Sequence, residues 1–223
     1  WNYEDNMDFT ENLFKHFIKE LFGTLIIQIG EHQIDFGKKW PRTSLRDLLL
    51  EKTGIDIYVE KTPEELRKAI ARKAIVLEDS EKLGRGNLID LLYKKTVRPE
   101  IIQPMFVTSH PIDLSPLARR NDTNPDITDR FQLVVNSWEV VNAYSELVDP
   151  VDQRQRFEEQ AKLKAAGDEE AMEADYDYVY AMEHGMPPMS GWGMGIDRIL
   201  ALLTNQENLK DVILFPLMKP LDE

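Results

Sequence analysis

The sequence contains no cysteine, few histidines and no long apolar run. The absence of cysteine among its 223 residues excludes disulfides, thiolate metal sites and a cysteine nucleophile. No apolar stretch approaches the roughly 20 residues of a membrane span and no signal-peptide pattern is present, so we expect a cytoplasmic protein without membrane contact. The HExxH, GxSxG and Walker patterns are absent, and the 4 scattered histidines indicate structural rather than catalytic roles.

Basic residues are also scarce relative to acidic ones. The chain has 27 lysines and arginines against 40 aspartates and glutamates, a formal net charge of -13. This balance disfavours a protein whose main task is to wrap nucleic acid. The acidic residues between Pro150 and His184 predict two solvated helices, broken at Gly167, with an exposed charged face. The chain opens at Trp1 without a methionine, and we expect it to be a segment of a longer protein.

The order of helix and strand signals predicts an α+β fold. Apolar residues at helical spacing, together with breakers, predict helices at 9–22, 44–53, 62–75 and 88–98. Alternating patterns predict two short strands within 24–36, around a turn near residues 30–32, and further strands at 105–109, 131–135 and 138–147. Asp8 and Glu11 resemble a capping box for the first helix, which Gly23 ends. Because no strand–helix–strand rhythm is evident, we expect a largely antiparallel sheet flanked by helices.

The stretch MSGWGMGIDRILA, residues 189–201, places three glycines at alternate positions before an apolar helical run. Alternate glycines remove the side chains from one face of a strand, so a flat ligand can lie against bare backbone. Arg198 stands where this strand becomes a helix, and a guanidinium held there can donate a fork of hydrogen bonds to phosphate. A glycine-kinked strand with a structural salt bridge accounts for this stretch equally well.

A hairpin with Asn136 and Ser137 as its turn predicts a metal site. This turn pairs Val134 with Glu139 and places Gln132 one diagonal step away on the same face. Two oxygen-bearing side chains on a rigid hairpin suit Mg²⁺ that is bound jointly with nucleotide phosphates. The alternative is a cross-strand polar pair that faces solvent.

The second hairpin strand continues with Asn142, Tyr144 and Glu146, which share one face, whereas Glu139 has the other parity. All four can line one pocket only if a β-bulge lies between Val140 and Asn142, and an unbroken ladder would separate Glu139 from the rest. A glutamate that faces a pocket at position 146 requires an ammonium or guanidinium partner. The alternative is an ordinary salt bridge to a nearby lysine or arginine.

Five segments in this order resemble class II lysyl-tRNA synthetases. They are SPLARRND (115–122), WEVVNAYSELVDP (138–150), AGDEEAM (166–172), EHGMPPMSGWGMGIDR (183–198) and DVILFPLMKP (211–220). The resemblance covers essentially the whole chain, residues 1–223, as the C-terminal part of the catalytic domain, and residues 55–85 are the least distinctive.

The resemblance implies ATP-dependent activation of lysine to lysyl-adenylate, followed by transfer to tRNA(Lys), by a protein that is a homodimer at full length. GWGMGIDR is similar to the family's motif 3, whose catalytic arginine contacts the ATP phosphates. The implied ATP-binding residues are Arg198, Glu139 and Gly193, with Mg²⁺ at Glu139. The implied lysine-binding residues are Asn142, Tyr144, Glu146 and Gly193, with Glu146 facing the ε-ammonium. An aspartate-binding relative would be expected to carry a positive group where Glu146 stands.

The chain also departs from the family pattern. Gln132 stands where the family usually has a second metal-binding glutamate, so we expect weaker or altered metal binding. The family's anticodon-binding barrel and motifs 1 and 2 precede the matched part, and we therefore expect an incomplete catalytic domain that forms no lysyl-adenylate at a useful rate by itself. Two alternatives stay open: a paralogue that transfers lysine to a protein acceptor, and a non-catalytic synthetase-like binding module.

Overall fold

The computed structural model describes residues 1–217, which form seven α-helices and seven β-strands. The helices are α1 (Tyr3–Phe22), α2 (Leu45–Thr53), α3 (Pro63–Arg72), α4 (Arg85–Thr96), α5 (Pro150–Ala165), α6 (Tyr176–Glu183) and α7 (Ile196–Leu203). The strands are β1 (Ile26–Ile29), β2 (His32–Asp35), β3 (Arg42–Ser44), β4 (Met105–Thr108), β5 (Arg130–Val135), β6 (Trp138–Ser145) and β7 (Ser190–Met194). The end of the segment DVILFPLMKP, residues 218–220, lies outside the described residues.

The main sheet has five strands in the order β3-β4-β5-β6-β7, and β1 with β2 forms a separate hairpin. Every neighbouring pair in the main sheet is antiparallel except β3 and β4. This arrangement confirms the expected α+β fold with a largely antiparallel sheet. The short strand β3 was not predicted, because three residues are too few to show an alternating pattern. No helix within residues 1–217 is long and apolar enough to cross a membrane.

Two apolar clusters cover the main sheet from opposite sides. On one face, α1, the β1–β2 hairpin and α7 pack against residues such as Phe131, Val141 and Trp192. On the other face, α2, α3 and α4 pack against the sheet around Val107 and Val134, which lie on β4 and β5. The second cluster does not extend over β6 and β7. The sheet therefore has a half-covered face, and the polar side chains of β6 lie on its uncovered part.

The first helix begins earlier than the sequence indicated. Asn2 caps α1 by accepting hydrogen bonds from the backbone N–H groups of Glu4 and Asp5 at 2.8 and 3.1 Å, and Asp5 completes a capping box. The predicted cap at Asp8 is wrong, because this residue lies within the helix and forms an ion pair with Arg42. Asn2 is an equally good cap residue, and starting there allows a further turn of helix to pack on the sheet.

Helices α5 and α6 are separated by residues 166–175, so the predicted break at Gly167 is confirmed. The prediction that the acidic residues here form an exposed face is wrong for Asp168, which is fully buried. Its carboxylate accepts hydrogen bonds from the backbone N–H of Gly84 at 2.6 Å and from Asn87 Nδ2 at 2.9 and 3.0 Å. Gly84 is the N-cap of α4 and has no side chain with which to cap it. Asp168 therefore serves as the cap from a distant part of the chain.

We predict that Asp168→Ala lowers the free energy of unfolding by about 2–4 kcal/mol, because it leaves the buried donors of Gly84 and Asn87 without partners. Urea denaturation measures this loss. The control is Glu169→Ala, which removes an exposed carboxylate from the neighbouring position and should change stability by less than about 0.5 kcal/mol. Equal effects of the two substitutions would show that Asp168 does not hold α4.

Candidate active site

A β-bulge at Val140 brings the predicted site residues onto one face. Val134 pairs with Glu139, as the turn at Asn136 and Ser137 predicts, whereas the preceding residue Leu133 pairs with Val141. Val140 is thus an extra residue without a partner, and the predicted bulge is confirmed. Val140 and Val141 are each about 1% exposed and belong to the apolar core. Because the bulge shifts the alternation by one residue, Glu139 shares its face with the next polar side chains of β6.

Gln132, Glu139 and Arg198 meet at one end of this face. Gln132 Nε2 donates a hydrogen bond to Glu139 Oε2 at 3.1 Å. Arg198 Nη1 donates to the backbone carbonyl of Glu139 at 2.9 Å and lies 3.9 Å from Glu139 Oε1. The Arg198 side chain remains 49% exposed, so its remaining N–H groups can reach a ligand.

Of the two glycines on β7, only Gly193 leaves the bare backbone that the sequence predicted. Gly191 is paired with Tyr144 and Gly193 with Asn142, so these glycines lie on the same face as the site. A Cβ at position 193 would have its nearest neighbour 3.5 Å away, at the backbone oxygen of Asn142. A Cβ at position 191 would lie 2.1 Å from Glu146 Oε1. Gly191 thus makes room for the Glu146 carboxylate, whereas Gly193 leaves open backbone.

Glu146 is half-buried and makes no ion pair with any residue in the described range 1–217. Burial raises the pKa of its carboxyl group. The alternative of an ordinary salt bridge to a lysine or arginine is therefore wrong for the described part of the chain. The carboxylate lies close to Tyr144, and no cation among the described residues offsets its desolvation.

Asn142 and Tyr144 line a cavity of about 210 Å³. Its other walls come from residues 114–118, from Arg130 and from Met172. Three of the segments that carried the family resemblance, which are far apart in the sequence, therefore meet at one cavity. The cavity has room for a small ligand beside Asn142, whose partner on β7 is Gly193.

Sequence reasoning missed the basic residues around the site. A second cavity of about 480 Å³ lies beside Glu139 and Arg198 and is also lined by Lys94 and Arg98. Lys94 lies in the last turn of α4 and Arg98 lies two residues beyond its end, and nothing in the sequence distinguishes either of them from a solvated charge. Arg130 could have been found, because it shares its parity on β5 with Gln132.

His110 lies fully buried behind the site, at 1% exposure. Neither ring nitrogen has a hydrogen-bond partner among the described residues. Burial, assisted by the positive charge of Arg130, lowers the pKa of His110 to about 3. Its imidazole is therefore neutral at physiological pH and adds no charge to the site.

The family model for tRNA synthetases class II (D, K and N) matches residues 1–219 of this chain. The chain belongs to this family. The class II synthetase match agrees with the antiparallel sheet and flanking helices described above. The five segments that carried the resemblance therefore indicated the right family.

The chain is also similar to curated lysine–tRNA ligases. The chain is 44% identical to the lysine–tRNA ligase of Porphyromonas gingivalis over 219 residues, which are 98% of this chain and 37% of that protein. It is 44% identical to the lysine–tRNA ligase of Thermosipho africanus over 220 residues, 99% of this chain and 43% of that protein. It is 43% identical to the lysine–tRNA ligase of Bacillus subtilis over 218 residues, which are 98% of this chain and 43% of that protein. This class II synthetase chain thus spans about two-fifths of the length of these relatives.

The burial of His110 predicts a pH dependence of stability. The unfolded chain binds a proton at this histidine near pH 6.5, whereas the folded chain does not until about pH 3. The unfolded state therefore binds more protons below pH 6.5, and stability falls as the pH falls. We predict that His110 contributes about 2 kcal/mol to the loss between pH 7 and pH 5.

Urea denaturation of the natural chain and of His110→Gln at both pH values measures this contribution. The variant should lose less stability on acidification than the natural chain does. The matched control is His16→Gln, because His16 is exposed and should leave the pH dependence unchanged. An unchanged pH dependence in His110→Gln would contradict the assignment.

Proposed function

We propose that the protein containing this chain activates lysine with ATP and transfers it to tRNA(Lys). The observation that carries this proposal is Glu146, a half-buried carboxylate without an ion-pair partner in the described residues, beside a small cavity and a bare glycine backbone. The ε-ammonium of lysine would supply the missing positive charge. The names of the curated relatives support the same substrate.

We assign the amino-acid end of the site to Asn142, Tyr144, Glu146 and Gly193. The first two line the cavity of about 210 Å³, and the carboxylate of Glu146 lies over Gly191 next to Tyr144. Gly193 would let the bound amino acid approach the sheet closely, because it presents no side chain. An acidic side chain at position 146 favours lysine over aspartate or asparagine, since charge reversal at a partly buried site costs several kcal/mol.

We assign the nucleotide end to Arg198, Glu139 and Gly193. The exposed part of the Arg198 guanidinium can contact the ATP phosphates, and its bond to the Glu139 carbonyl holds it in place. In the proposed reaction the lysine carboxylate attacks the α-phosphorus, an acyl–phosphate bond forms and pyrophosphate leaves. Such a step needs positioning and charge neutralisation more than covalent help from the protein.

The donor set at Glu139 fits Mg²⁺ that is shared with nucleotide phosphates. Mg²⁺ commonly takes one or two protein ligands and retains several waters, so the Glu139 carboxylate suffices. The Gln132 amide, whose nitrogen donates to Glu139, would turn its oxygen towards the ion to add a second ligand. The described residues contain no cluster of three or more acidic or histidine side chains that could hold a metal by themselves. When bound, the ion would neutralise charge on the phosphates.

A homodimer, as the resemblance implied, remains part of the proposal.

The proposal predicts that Glu146 recognises lysine by binding its ε-ammonium. Isothermal titration of the natural protein that contains this chain should show tighter binding of L-lysine than of L-norleucine, which has no ε-ammonium. Glu146→Gln should weaken lysine binding by about 10- to 100-fold and leave norleucine binding nearly unchanged.

The control for this test is Glu169→Gln, which changes an exposed carboxylate that does not line the cavity and should alter neither affinity. If Glu146→Gln retained the full preference for lysine, the proposed substrate would be wrong. If lysine bound but no lysyl-adenylate formed in the natural protein, the non-catalytic binding module would be favoured instead.

A second prediction concerns Gln132. Gln132→Glu places a second carboxylate within about 3 Å of Glu139, which should raise the affinity for Mn²⁺ in the presence of ATP by about 10-fold or more. Without metal the two carboxylates repel each other, so the melting temperature should fall, and Mn²⁺ should restore it. Electron paramagnetic resonance and thermal unfolding measure the two effects. Gln132→Leu is the control that removes the oxygen and should weaken Mn²⁺ binding; equal affinities in all three proteins would contradict the assignment.

A further inference from the structure

Arg130 makes three hydrogen bonds, all to uncharged acceptors. Its Nε donates to Asn142 Oδ1 at 3.0 Å, and its Nη1 donates to the Leu114 carbonyl at 2.9 Å and to Ser115 Oγ at 3.0 Å. No carboxylate within residues 1–217 lies at ion-pair distance from this guanidinium. Arg130 also lines the cavity of about 210 Å³ that holds Asn142 and Tyr144.

The bond from Arg130 decides which way the Asn142 amide faces. A guanidinium has donors and no acceptor, so the atom of Asn142 that faces it is necessarily the carbonyl oxygen. The amide nitrogen then lies on the other branch of the side chain and makes no side-chain hydrogen bond within the described residues. Asn142 therefore offers the cavity a donor, which suits a carboxylate and not an ammonium.

The charges around the cavity also favour a ligand carboxylate at Asn142. The guanidinium of Arg130, which no carboxylate neutralises at close range in the described chain, makes the Asn142 end positive. Glu146 directly follows β6, two residues beyond Tyr144, and its unpaired carboxylate places a negative charge beside the Tyr144 wall of the cavity. A ligand with a carboxylate at one end and an ammonium at the other thus fits in one orientation only.

We propose that Arg130 is a positioning residue that holds the Asn142 amide with its nitrogen towards the cavity, so that the site reads the α-carboxylate of its amino acid there. This inference rests on the proposed binding of lysine. It adds the residue that fixes the orientation of the amino acid and with it the position of the carboxylate that reacts. Arg130 acts through Asn142 and through its charge.

The test compares L-lysine with cadaverine, which is lysine without its carboxylate. Isothermal titration of the natural protein that contains this chain should give at least about 10-fold tighter binding of lysine. Asn142→Asp keeps the contact to Arg130 but turns an acceptor towards the cavity, so the ratio of the two affinities should fall to about 1. Arg130→Lys keeps the charge but loses the planar fork that fixes the amide, so the ratio should fall at least 3-fold.

The ratio of the affinities for lysine and cadaverine distinguishes a positioning role of Arg130 from a merely structural one. A variant that is partly unfolded binds both ligands more weakly by the same factor, which leaves the ratio unchanged. The matched control is Arg156→Lys, because Arg156 is a buried arginine that donates to the carbonyls of Ser115 and Ala118 in the same cavity wall without contacting Asn142. This variant should lose stability and keep the ratio of the natural protein.

An unchanged ratio in Asn142→Asp and Arg130→Lys would overturn this inference and leave lysine binding intact. A fall of the ratio in Arg156→Lys equal to that in Arg130→Lys would also overturn it, since any disturbance of the wall would then suffice. If the natural protein bound neither ligand, the proposed function would fail, and this inference would fail with it.

Discussion

The β-bulge at Val140 is the constraint on which the candidate site depends. It allows two consecutive valines to face the apolar core while Glu139 and Asn142, on either side of them, both face the opposite way. Without the extra residue, β6 would send Glu139 into the core, and neither the contact with Gln132 nor that with Arg198 could form. The bulge leaves Val140 without a partner on β5, although its carbonyl still accepts a hydrogen bond from Gly195, and it brings the two proposed ends of the site onto one strand.

The uneven covering of the sheet makes this face accessible. Helices α2 to α4 bury the face over β4 and β5, and the rest stays open over β6 and the glycine strand β7. The open part is then walled by residues 114–118 and by Met172, which come from segments far apart in the sequence. Asp168 ties the second of these segments to the N-terminus of α4, so the wall is held by the same helix that builds the core. Stability and site geometry are therefore linked through one buried carboxylate.

The charge around the open face of the sheet is opposite in sign to the net charge of the chain. The protein carries a formal charge of -13, yet arginines and a lysine gather around the open face. Arg198 and Arg98 line the cavity of about 480 Å³, and Arg130 lines the cavity of about 210 Å³. Glu146 supplies the opposite sign at the far end. An acidic protein can thus present a locally positive surface, because nearby groups set the local potential and the net charge acts mainly at long range.

The sequence by itself determined the family, the α+β class, the turn at Asn136 and Ser137 and the need for a bulge, because these follow from alternation and from motifs of consecutive residues. It also placed Gln132 with Glu139 on one face of the hairpin, and Asn142 with Tyr144 and Glu146 on one face of the second strand, since strand parity is a local property. Only the tertiary structure decided that Asp168 is buried as a distant cap, that Glu146 has no internal partner within residues 1–217, and that Arg130 takes the carbonyl of Asn142. These facts depend on contacts between segments far apart in the chain, and no local pattern records which charged side chain will meet another.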